Sequence, residues 1–572
     1  CCLMVQRPPH LSRVRSSAAS EVYNRQTEKI AKRIEGIAIE LTNELSVVET
    51  PGELDSVNKI FEIFSKMPYY TENPEDLFFV ETGDKLGRKS VVAVLRGKKS
   101  SSKKTVVMIG HTDTVGISDY GNLQEYANRP YELMEKLKEV TLSEEVTRDL
   151  NSGEYLFGRG LFDMKTGDAI IMALMEEIAS DIENFEGNLI FAGVCDEEGN
   201  SGGMLSVVPK LVEMQEKEGL EYLALLDTDY MTSEFEGDEN KYVYIGTVGK
   251  LMPSFYVVGK ETHVGESFKG IDPNQIASHI TSRINLNPEF CDVAEGEVSL
   301  PPITLHQRDL KTEYSVQIAK SATLFFNYAT HCSTPDEVLV KMKNAANEAF
   351  QEAIDTLNSR YSTFCEMAGR KQELLPWKAR TMTYEELLAA VEKENASVKD
   401  IMDEYNRELM KDEDLDPRTF SLRMVEKLHS LWSDREPVVV VYFSPPYYPH
   451  IYVEGTAEKE KNLIDAVAEA VDSTKTDYRL VYKKFFPYIS DLSYAAAPKD
   501  PAIIAALKDN MPGFGSKYDL PLEDMQKLDL PVLDIGSFGK DAHKFTERIE
   551  KRYSFNVAPE LVYKTVMNLL KK

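Results

Sequence analysis

Short apolar runs alternate with amphipathic helical segments over roughly the first 250 residues of the chain. The segments between the runs, such as 168–182, repeat apolar residues at helical spacing. This alternation predicts an α/β domain with a mainly parallel sheet flanked by helices, whose functional side chains lie at the carboxyl ends of the strands. The runs have the length and the Val, Ile and Leu content of single strands, and the four clearest are 90–97, 105–110, 188–194 and 221–227.

The pattern changes after residue 246. A strand, a helix, two strands and a long helix follow, and a highly charged helical stretch then precedes the apolar run 438–443. This order predicts a small α+β domain inserted into the first domain. The predicted boundaries are 21–246 and 453–572 for the two parts of the first domain and 247–452 for the insertion, which includes a helical extension at 362–436.

The first twenty residues differ from the rest of the chain. Segment 1–20 is basic and rich in serine and contains no acidic residue. A transit peptide has such a composition, and so does an extension that is foreign to the fold. We therefore expect the segment to take no part in the fold.

The overall composition narrows the class of protein. The chain of 572 residues has 66 Lys and Arg against 94 Asp and Glu, a formal net charge of −28, whereas nucleic acids and anionic membranes need a basic face. The six cysteines are scattered and indicate neither a disulfide framework nor a thiolate zinc cluster. No apolar run has the roughly 18 to 20 residues of a membrane span. These features predict a cytoplasmic protein with no nucleic-acid or membrane partner.

Histidine and carboxylate residues directly follow several predicted strands. Because the carboxyl ends of parallel strands meet at one edge of a sheet, we expect these side chains to share one crevice. They are His111 and Asp113 after 105–110; Asp196, Glu197 and Glu198 after 188–194; Asp227 and Asp229 after 221–227; and His543 after the run 531–536; Asp163 lies in a Gly-rich loop before a helix.

A group of closely spaced carboxylates needs a counter-charge, because carboxylates repel and raise each other's pKa. A divalent metal ion supplies that charge. Mixed nitrogen and oxygen ligands suit zinc, and two zinc ions bridged by one carboxylate form a co-catalytic pair that hydrolyses amides.

The motifs at 111–113, 160–165, 196–199 and 543–547, together with Asp227, resemble in the same order those of a two-zinc amidohydrolase and peptidase family. Its members include aminoacylase, acetylornithine deacetylase, succinyl-diaminopimelate desuccinylase and peptidase T. The resemblance extends from about residue 30 to the C-terminus, and the length and the mid-chain extension are most similar to the branch of arginine-utilisation proteins. It implies a catalytic domain with an inserted ferredoxin-like lid or dimerisation domain.

The resemblance also implies a set of site residues. Glu197 would be the general base, and Asp113 would orient a histidine ligand without binding metal. Asp229 stays open as an alternative to Asp227, because both closely follow the same strand. The implied ligands of two zinc ions, for which cobalt or manganese could substitute, are His111, Asp163 as the bridge, Glu198, Asp227 and His543.

The inserted domain and the last part of the chain supply further candidates. In the family, a histidine at the position of His263 stabilises the oxyanion, often from the partner subunit. The family more often has proline where Glu266 or Ser267 stands. Residues proposed for the substrate wall are Ser490, Asp491 and Gly539. The segment 444–450, SPPYYPH, is distinctive but has no predicted role.

The expected function is hydrolysis of the amide bond of a small N-acyl amino acid, a ureido compound or a short peptide, with a link to arginine or ornithine catabolism. Two alternatives stay open: a catalytically inactive metal-binding or regulatory homologue, and a two-zinc aminopeptidase. The inserted domain could form a homodimer, or its helical extension could block that interface.

Overall fold

The computed structural model describes residues 28–572, so the expectation for segment 1–20 lies outside the described residues. The helices are α1 (28–43), α2 (Gly52–Ser65), α3 (Pro68–Glu72), α4 (Pro130–Leu137), α5 (Glu144–Ser152), α6 (Thr166–Ala179), α7 (Gly202–Glu218), α8 (Pro273–Ile284), α9 (Pro335–Met367), α10 (Tyr384–Glu394), α11 (Val398–Leu409), α12 (Pro417–Leu431), α13 (Glu458–Ser473), α14 (Pro501–Asp509), α15 (Leu522–Leu528) and α16 (Ala558–Lys571).

Most strands are short, as expected for a chain with many turns. They are β1 (Leu77–Glu81), β2 (Lys89–Arg96), β3 (Lys104–His111), β4 (Tyr155–Phe157), β5 (Asn188–Val194), β6 (Glu221–Asp227), β7 (Lys241–Tyr244), β8 (Gly246–Thr247), β9 (Gly249–Leu251), β10 (Pro253–Val258), β11 (Val293–Ala294), β12 (Glu297–Val298), β13 (Ile303–Asp309), β14 (Ser321–Thr330), β15 (Thr381–Thr383), β16 (Val438–Phe443), β17 (Ile451–Tyr452), β18 (Leu480–Lys483), β19 (Val532–Asp534), β20 (Gly539–Lys540) and β21 (Arg548–Glu550).

The first sheet has eight strands in the order β1-β2-β5-β3-β6-β19-β7-β18. Its centre consists of β5, β3, β6 and β19, which are all parallel to one another. The pairs β1–β2, β2–β5 and β19–β7 are antiparallel. The prediction of an α/β domain with a mainly parallel sheet is therefore confirmed.

Helices cover both faces of this sheet. In β3, Val107 and Ile109 pack in the hydrophobic cluster that contains residues of α7, whereas Val106 and Met108 pack in the cluster that contains residues of α6 and α16. Side chains of a strand point alternately to opposite faces, so a strand buried on both sides has to be apolar throughout. The continuous apolar runs in the sequence reflect this burial.

The second sheet draws its strands from residues 249–443, in the order β13-β14-β10-β16-β15, with β9 also paired to β14. All of its pairs are antiparallel except β15–β16. Phe255 and Val257 of β10 pack in the cluster with α8 and α9, and Tyr256 and Val258 pack in the cluster with α10, α11 and α12. The charged stretch 362–436 is thus an extension whose helices cover the second face of this sheet with buried apolar residues.

The two sheets meet at the place where the candidate chemistry lies. The carboxyl ends of β3, β5, β6 and β19 lie side by side in the first sheet, and β9 and β14 of the second sheet face them across a cavity. Within residues 28–572, no helix has the combination of length and apolar character that a membrane span requires.

Candidate metal centre and active site

Asp163 lies at the centre of the predicted ligand set. Its Oδ1 is 2.9 Å from Nε2 of His111, and its Oδ2 is 2.9 Å from Nε2 of His543. Nε2 of His543 is also 2.9 Å from Oε1 of Glu198. Each oxygen of one carboxylate therefore faces a different histidine, which is the arrangement that a bridging ligand requires.

Potential ligand atoms gather in overlapping groups around this carboxylate. One group consists of His111, Asp163 and Asp229, and another consists of Asp163, Glu198 and His543; within each group the ligand atoms lie within 4.8 Å of one another. Two ligand atoms about 2.1 Å from one ion at a tetrahedral angle are about 3.4 Å apart. The donor set and its spacing fit two divalent ions that share Asp163.

Asp229, and not Asp227, lies beside His111 and Asp163, which differs from the preference drawn from the sequence. Oδ2 of Asp227 accepts a hydrogen bond from Oγ of Ser490 at 3.0 Å, and its Oδ1 accepts the N–H of Thr228 at 2.8 Å. Strand β6 ends at Asp227, and the chain beyond it turns so that Asp229 reaches the histidine. Spacing along the sequence cannot distinguish the two, because the distinction depends on this turn.

Asp113 supports the site in a way that the sequence did not specify. Its carboxylate accepts the backbone N–H groups of Glu197 at 3.1 Å and of Glu198 at 3.0 Å. Its backbone carbonyl oxygen lies 3.1 Å from Nδ1 of His111, whereas its carboxylate is 3.9 Å from that nitrogen. Asp113 thus fixes the glutamate loop with its side chain and the histidine with its main chain.

The electrostatics of the cluster are dominated by buried negative charge. Burial raises the pKa of Glu197 well above its usual value; the imidazole of His111 opposes this shift and the charge of Glu198 adds to it. Burial and the charge of Asp163 likewise raise the pKa of Asp229. So many carboxylates in one buried space are stabilised when divalent cations replace the missing counter-charge.

The pKa values of Asp163 and His543 both shift in the direction that favours the charged form, because the two side chains contact each other. Burial opposes the ionisation of Asp163, but hydrogen bonds from His111 and His543 outweigh it and hold the pKa of Asp163 below its usual value. Burial opposes the protonation of His543, but hydrogen bonds to Asp163 and Glu198 raise its pKa to about 10. Each of the two groups therefore stabilises the charged form of the other.

Asp196, the first of three adjacent acids, holds the turn that carries Glu197 and Glu198. It has a positive φ of 67°, and its side chain accepts the N–H of Gly202 at 3.0 Å and pairs with the guanidinium of Arg88. Its own N–H donates to Oε2 of Glu53 at 2.9 Å. The contacts among Asp196, Arg88 and Glu53 thus hold this turn in place.

The structure places three other predicted residues away from the wall of the site. His263 is exposed, and its Nδ1 accepts the N–H of Gly265 at 3.0 Å. Ser490 lies behind Asp227, as its hydrogen bond shows. Gly539 packs against Phe162, where a Cβ atom would come within 2.6 Å of the ring.

Asp491 and Glu547 are both buried near the site. Neither carboxylate oxygen of Asp491 has a hydrogen-bond partner among residues 28–572. Glu547, the last residue of the motif 543–547, pairs with Arg159 at 2.6 Å and accepts the N–H of Phe162 at 3.3 Å. Glu547 therefore supports the loop that carries Asp163.

A cavity of about 340 Å³ opens in front of the ligand cluster. The candidate ligands Asp163, Glu198, Asp229 and His543 and the predicted base Glu197 line one side, while Lys250, Asn327 and Tyr448 are among the residues on the side of the inserted domain. None of these last three residues belongs to a motif that the sequence linked to the site. The one signal that pointed to any of them was the unusual segment 444–450, which contains Tyr448.

Comparison with known proteins places the chain in a family. The family model described as peptidase family M20/M25/M40 matches residues 108–529. The chain belongs to this family. It is an enzyme of the metallopeptidase and amidohydrolase class, and the resemblance found in the sequence is confirmed.

Two relatives illustrate the similarity of this chain to other members of the family. Protein RocB of Bacillus subtilis is 34% identical over 543 residues, which cover 94% of this chain and 95% of that protein. A succinyl-diaminopimelate desuccinylase of Psychrobacter arcticus is 22% identical over 331 residues, which cover 57% of this chain and 73% of that enzyme.

Two solved structures have a fold similar to that of this chain. The aminopeptidase PepT of Bacillus cereus superposes with a TM-score of 0.50 at 11% identity and covers 95% of this chain and 99% of its own. An M20 family metallo-carboxypeptidase of Sulfolobus solfataricus also has a TM-score of 0.50, at 10% identity, and covers 94% of this chain and 99% of its own. At these identities the similarity shows the fold alone.

Proposed function

We propose that this protein hydrolyses the amide bond of a small amino-acid derivative, which is a peptide, an N-acyl amino acid or a ureido compound, with two divalent ions. The observation that carries the proposal is the position of Asp163, whose two oxygens each lie 2.9 Å from a different histidine. The proposed ligands are His111, Asp163 and Asp229 for one ion and Asp163, Glu198 and His543 for the other. Zinc is the first candidate, and cobalt and manganese are substitutes.

The chain's own residues define the proposed mechanism. When bound, the two ions would lower the pKa of a water molecule and polarise the amide carbonyl. Glu197 accepts the proton of the attacking water and donates it to the departing nitrogen, so one carboxylate acts first as base and then as acid. Its partial burial, which raises its pKa, suits both steps. Asp113 keeps Glu197 in place through the backbone N–H at 3.1 Å.

The size of the cavity and the resemblance of the sequence limit the first substrates to test. A volume of about 340 Å³ is near the lower end of the range for small-molecule sites, roughly 300 to 1,000 Å³. The resemblance to the arginine-utilisation branch makes derivatives of arginine, citrulline and ornithine the first candidates. A cytoplasmic location stays a prediction.

The test combines metal analysis with a substrate panel. Protein purified without chelator is expected to contain about two ions per chain and to cleave some member of a panel of N-acetyl, N-succinyl and N-carbamoyl amino acids and dipeptides. The panel is assayed with added Zn²⁺, Co²⁺ or Mn²⁺. Glu197→Gln should lower kcat about 10³-fold or more while the metal content stays unchanged.

Each alternative function predicts a different result in these experiments. Absence of both metal and hydrolysis would favour an inactive homologue. Normal turnover by Glu197→Gln would contradict the proposed mechanism. Release of N-terminal residues from long peptides, without cleavage of N-acyl amino acids, would favour an aminopeptidase.

We further propose that β13 of the inserted domain mediates a homodimer. β13 is an edge strand, and its residues Ile303 and Leu305 are 43% and 52% exposed. Exposed apolar side chains on a free strand edge are typical of an interface. The extension covers a face of the sheet and leaves this edge open, which supports the homodimer over a blocked interface.

The dimer would also give His263 a place in the mechanism. This residue is exposed within its own chain, so a role in stabilising the oxyanion depends on a partner subunit. Light scattering should show a dimer for the wild-type protein and a monomer for Leu305→Lys. A wild-type monomer with full activity would contradict both proposals.

A further inference from the structure

A second cavity, of about 520 Å³, lies at the helical extension, between β10, the start of β14 and helix α12. Its wall includes Tyr256 of β10 and His429 of α12, which are both 3% exposed. Among the described residues, no residue lines both this cavity and the one in front of the candidate metal ligands. A molecule bound here would therefore leave the space for the substrate free.

Glu426 of α12 contributes a carboxylate without a partner to the wall of this second cavity. Within residues 28–572, its oxygens accept no hydrogen bond and form no ion pair within 4.0 Å. The side chain is partly buried, and burial raises its pKa, although the charges of Arg423 and Lys320 oppose the shift. Since a carboxylate withdrawn from water is stabilised by a cation, this position suits a cationic group of a ligand.

Lys320, which directly precedes β14, brings a positive charge to the same cavity. It is exposed, and its Nζ has no carboxylate within 4.0 Å in the described part of the chain, Glu426 included. Lys427 also lines the cavity, and its Nζ lies 5.4 Å from the centroid of the Tyr405 ring. Opposite charges thus line one cavity without pairing with each other. The other charged residues of the wall are exposed, and they are Glu261, Lys311 and Glu313.

His429 adds a buried polar atom to the wall, one helical turn after Glu426. Its Nε2 has no hydrogen-bond partner among residues 28–572, and its ring packs edge-on against Tyr256 with 5.6 Å between the centroids. Burial and the charge of Arg435 lower the pKa of His429 to about 4, so the ring is neutral at neutral pH. Buried polar atoms without a protein partner are uncommon, and a polar ligand is one way to satisfy them.

Loop 310–320, which lines the cavity, is hydrogen-bonded to the loop that carries His263. The N–H of Ile318 donates to the carbonyl oxygen of Thr262 at 3.1 Å, and the N–H of Val264 donates to that of Val316 at 3.3 Å. His263 itself lies opposite Gln317 in an isolated β-bridge. A ligand that shifts loop 310–320 would therefore also shift His263.

We propose that the cavity lined by Glu426, Lys320 and His429 is a regulatory site for a free α-amino acid. The ammonium group of the ligand would lie at Glu426 and its carboxylate at Lys320, so the ligand pairs two charges that do not pair with each other. The regulatory part rests on the proposed amide hydrolysis, which releases a free amino acid, and on the proposed role of His263. The binding part stands without them.

Calorimetry tests the binding part. The wild-type protein is titrated with each common α-amino acid in turn and is expected to bind at least one of them. Two analogues with the same side chain each lack one charge: the α-carboxamide lacks the carboxylate, and the α-hydroxy acid lacks the ammonium group. Both should bind at least about 10-fold more weakly, because each has lost one charge-assisted contact.

Variants of the wall separate this site from the active site. Glu426→Gln and Lys320→Met should each weaken binding at least about 10-fold, while kcat and KM without the amino acid stay within about 2-fold of the wild type. Glu404→Gln is the control, because this carboxylate of α11 is exposed and lies outside the cavity wall. In the wild type, the bound amino acid should change kcat at saturating substrate by at least about 3-fold, and Glu426→Gln should lose this response.

The outcomes distinguish this inference from the proposed function. Absence of binding, or binding that is unchanged in both variants and competitive with substrate, would overturn the site. Binding without any change in kcat would overturn its regulatory role. Absence of amide hydrolysis would overturn the proposed function and leave the calorimetric result standing. If Glu426→Gln fails to fold, Lys320→Met decides the matter, because Lys320 is exposed.

Discussion

The two ends of the cavity are built in different ways. The end formed by the first sheet gathers His111, Asp163, Glu197, Glu198 and Asp229 beside one another at the carboxyl ends of adjacent parallel strands or in the loops around them. The end formed by the inserted sheet presents one lysine, one asparagine and a tyrosine from separate segments of the chain. The first end carries dense charge in short motifs, and the second has sparse polar groups among apolar neighbours.

This difference indicates a division between chemistry and selection. Metal binding needs several ligands within a few ångströms, and parallel strands supply them from short stretches of sequence. Selection of a substrate needs only a few polar groups, provided that they point into the same space. Substitutions at the first end should therefore change metal content and kcat, and those at the second end should change KM.

The largest effect is expected from Asp163→Asn. The amide keeps the shape of the side chain but removes the negative charge that faces both His111 and His543, so both ions should bind weakly and activity should fall about 10⁴-fold or more. Metal analysis after dialysis and steady-state kinetics measure the two losses. Asp477→Asn, at a carboxylate whose side chain is 87% exposed, is the control and should behave as wild type; retention of both ions by Asp163→Asn would contradict a bridging role.

A matched pair of variants then decides between the two aspartates after β6. Asp229→Asn should lose one of two ions and most activity, because Asp229 belongs to the group of His111 and Asp163. Asp227→Asn should keep both ions and reduce activity about 10- to 100-fold, as expected for a residue that supports the ligands without binding metal. Metal stoichiometry is the decisive measurement, and loss of an ion in Asp227→Asn alone would restore the preference drawn from the sequence.

A smaller effect is expected from substitution of Arg88, which contacts the turn that carries Glu197 and Glu198. Arg88→Met removes the guanidinium that pairs with Asp196 and Glu53, so the turn should shift and kcat should fall about 10- to 100-fold with little change in metal content. Arg88→Lys should recover part of the loss. An effect on thermal stability alone, with kcat unchanged, would show that the network supports the fold and not the position of Glu197.

The smallest effect is expected from Tyr448→Phe at the other end of the cavity. This variant removes only the hydroxyl that lies 2.9 Å from Oγ of Ser201, and a hydrogen bond of that kind contributes about 1 kcal/mol. We expect kcat/KM to fall about 5-fold, while Tyr482→Phe, at an exposed tyrosine, stays unchanged. A loss as large as that of Arg88→Met would mean that the two ends of the cavity are more strongly coupled than their contacts indicate.

Much of the fold could be predicted from the sequence because its signals are local. The four central strands of the first sheet are short apolar runs buried on both faces, and burial of this kind leaves a continuous hydrophobic pattern. The packing of the extension at 362–436 is less evident in the sequence. Its charges face solvent, while apolar residues such as Leu387 and Val425 at helical spacing pack on the second face of the inserted sheet.

The sequence by itself predicted the types of candidate ligand, their order along the chain and their convergence, since most of them follow closely after a strand of the parallel sheet and Asp163 lies in a Gly-rich loop before a helix. Only the tertiary structure decided that Asp229 and not Asp227 reaches His111, that Asp196 is anchored by Arg88, and that Lys250 lines the same cavity as the candidate ligands. Such contacts join residues far apart in the chain, or depend on how a loop turns after its strand. Periodicity and spacing describe neighbours along the sequence, and these residues are neighbours only in space.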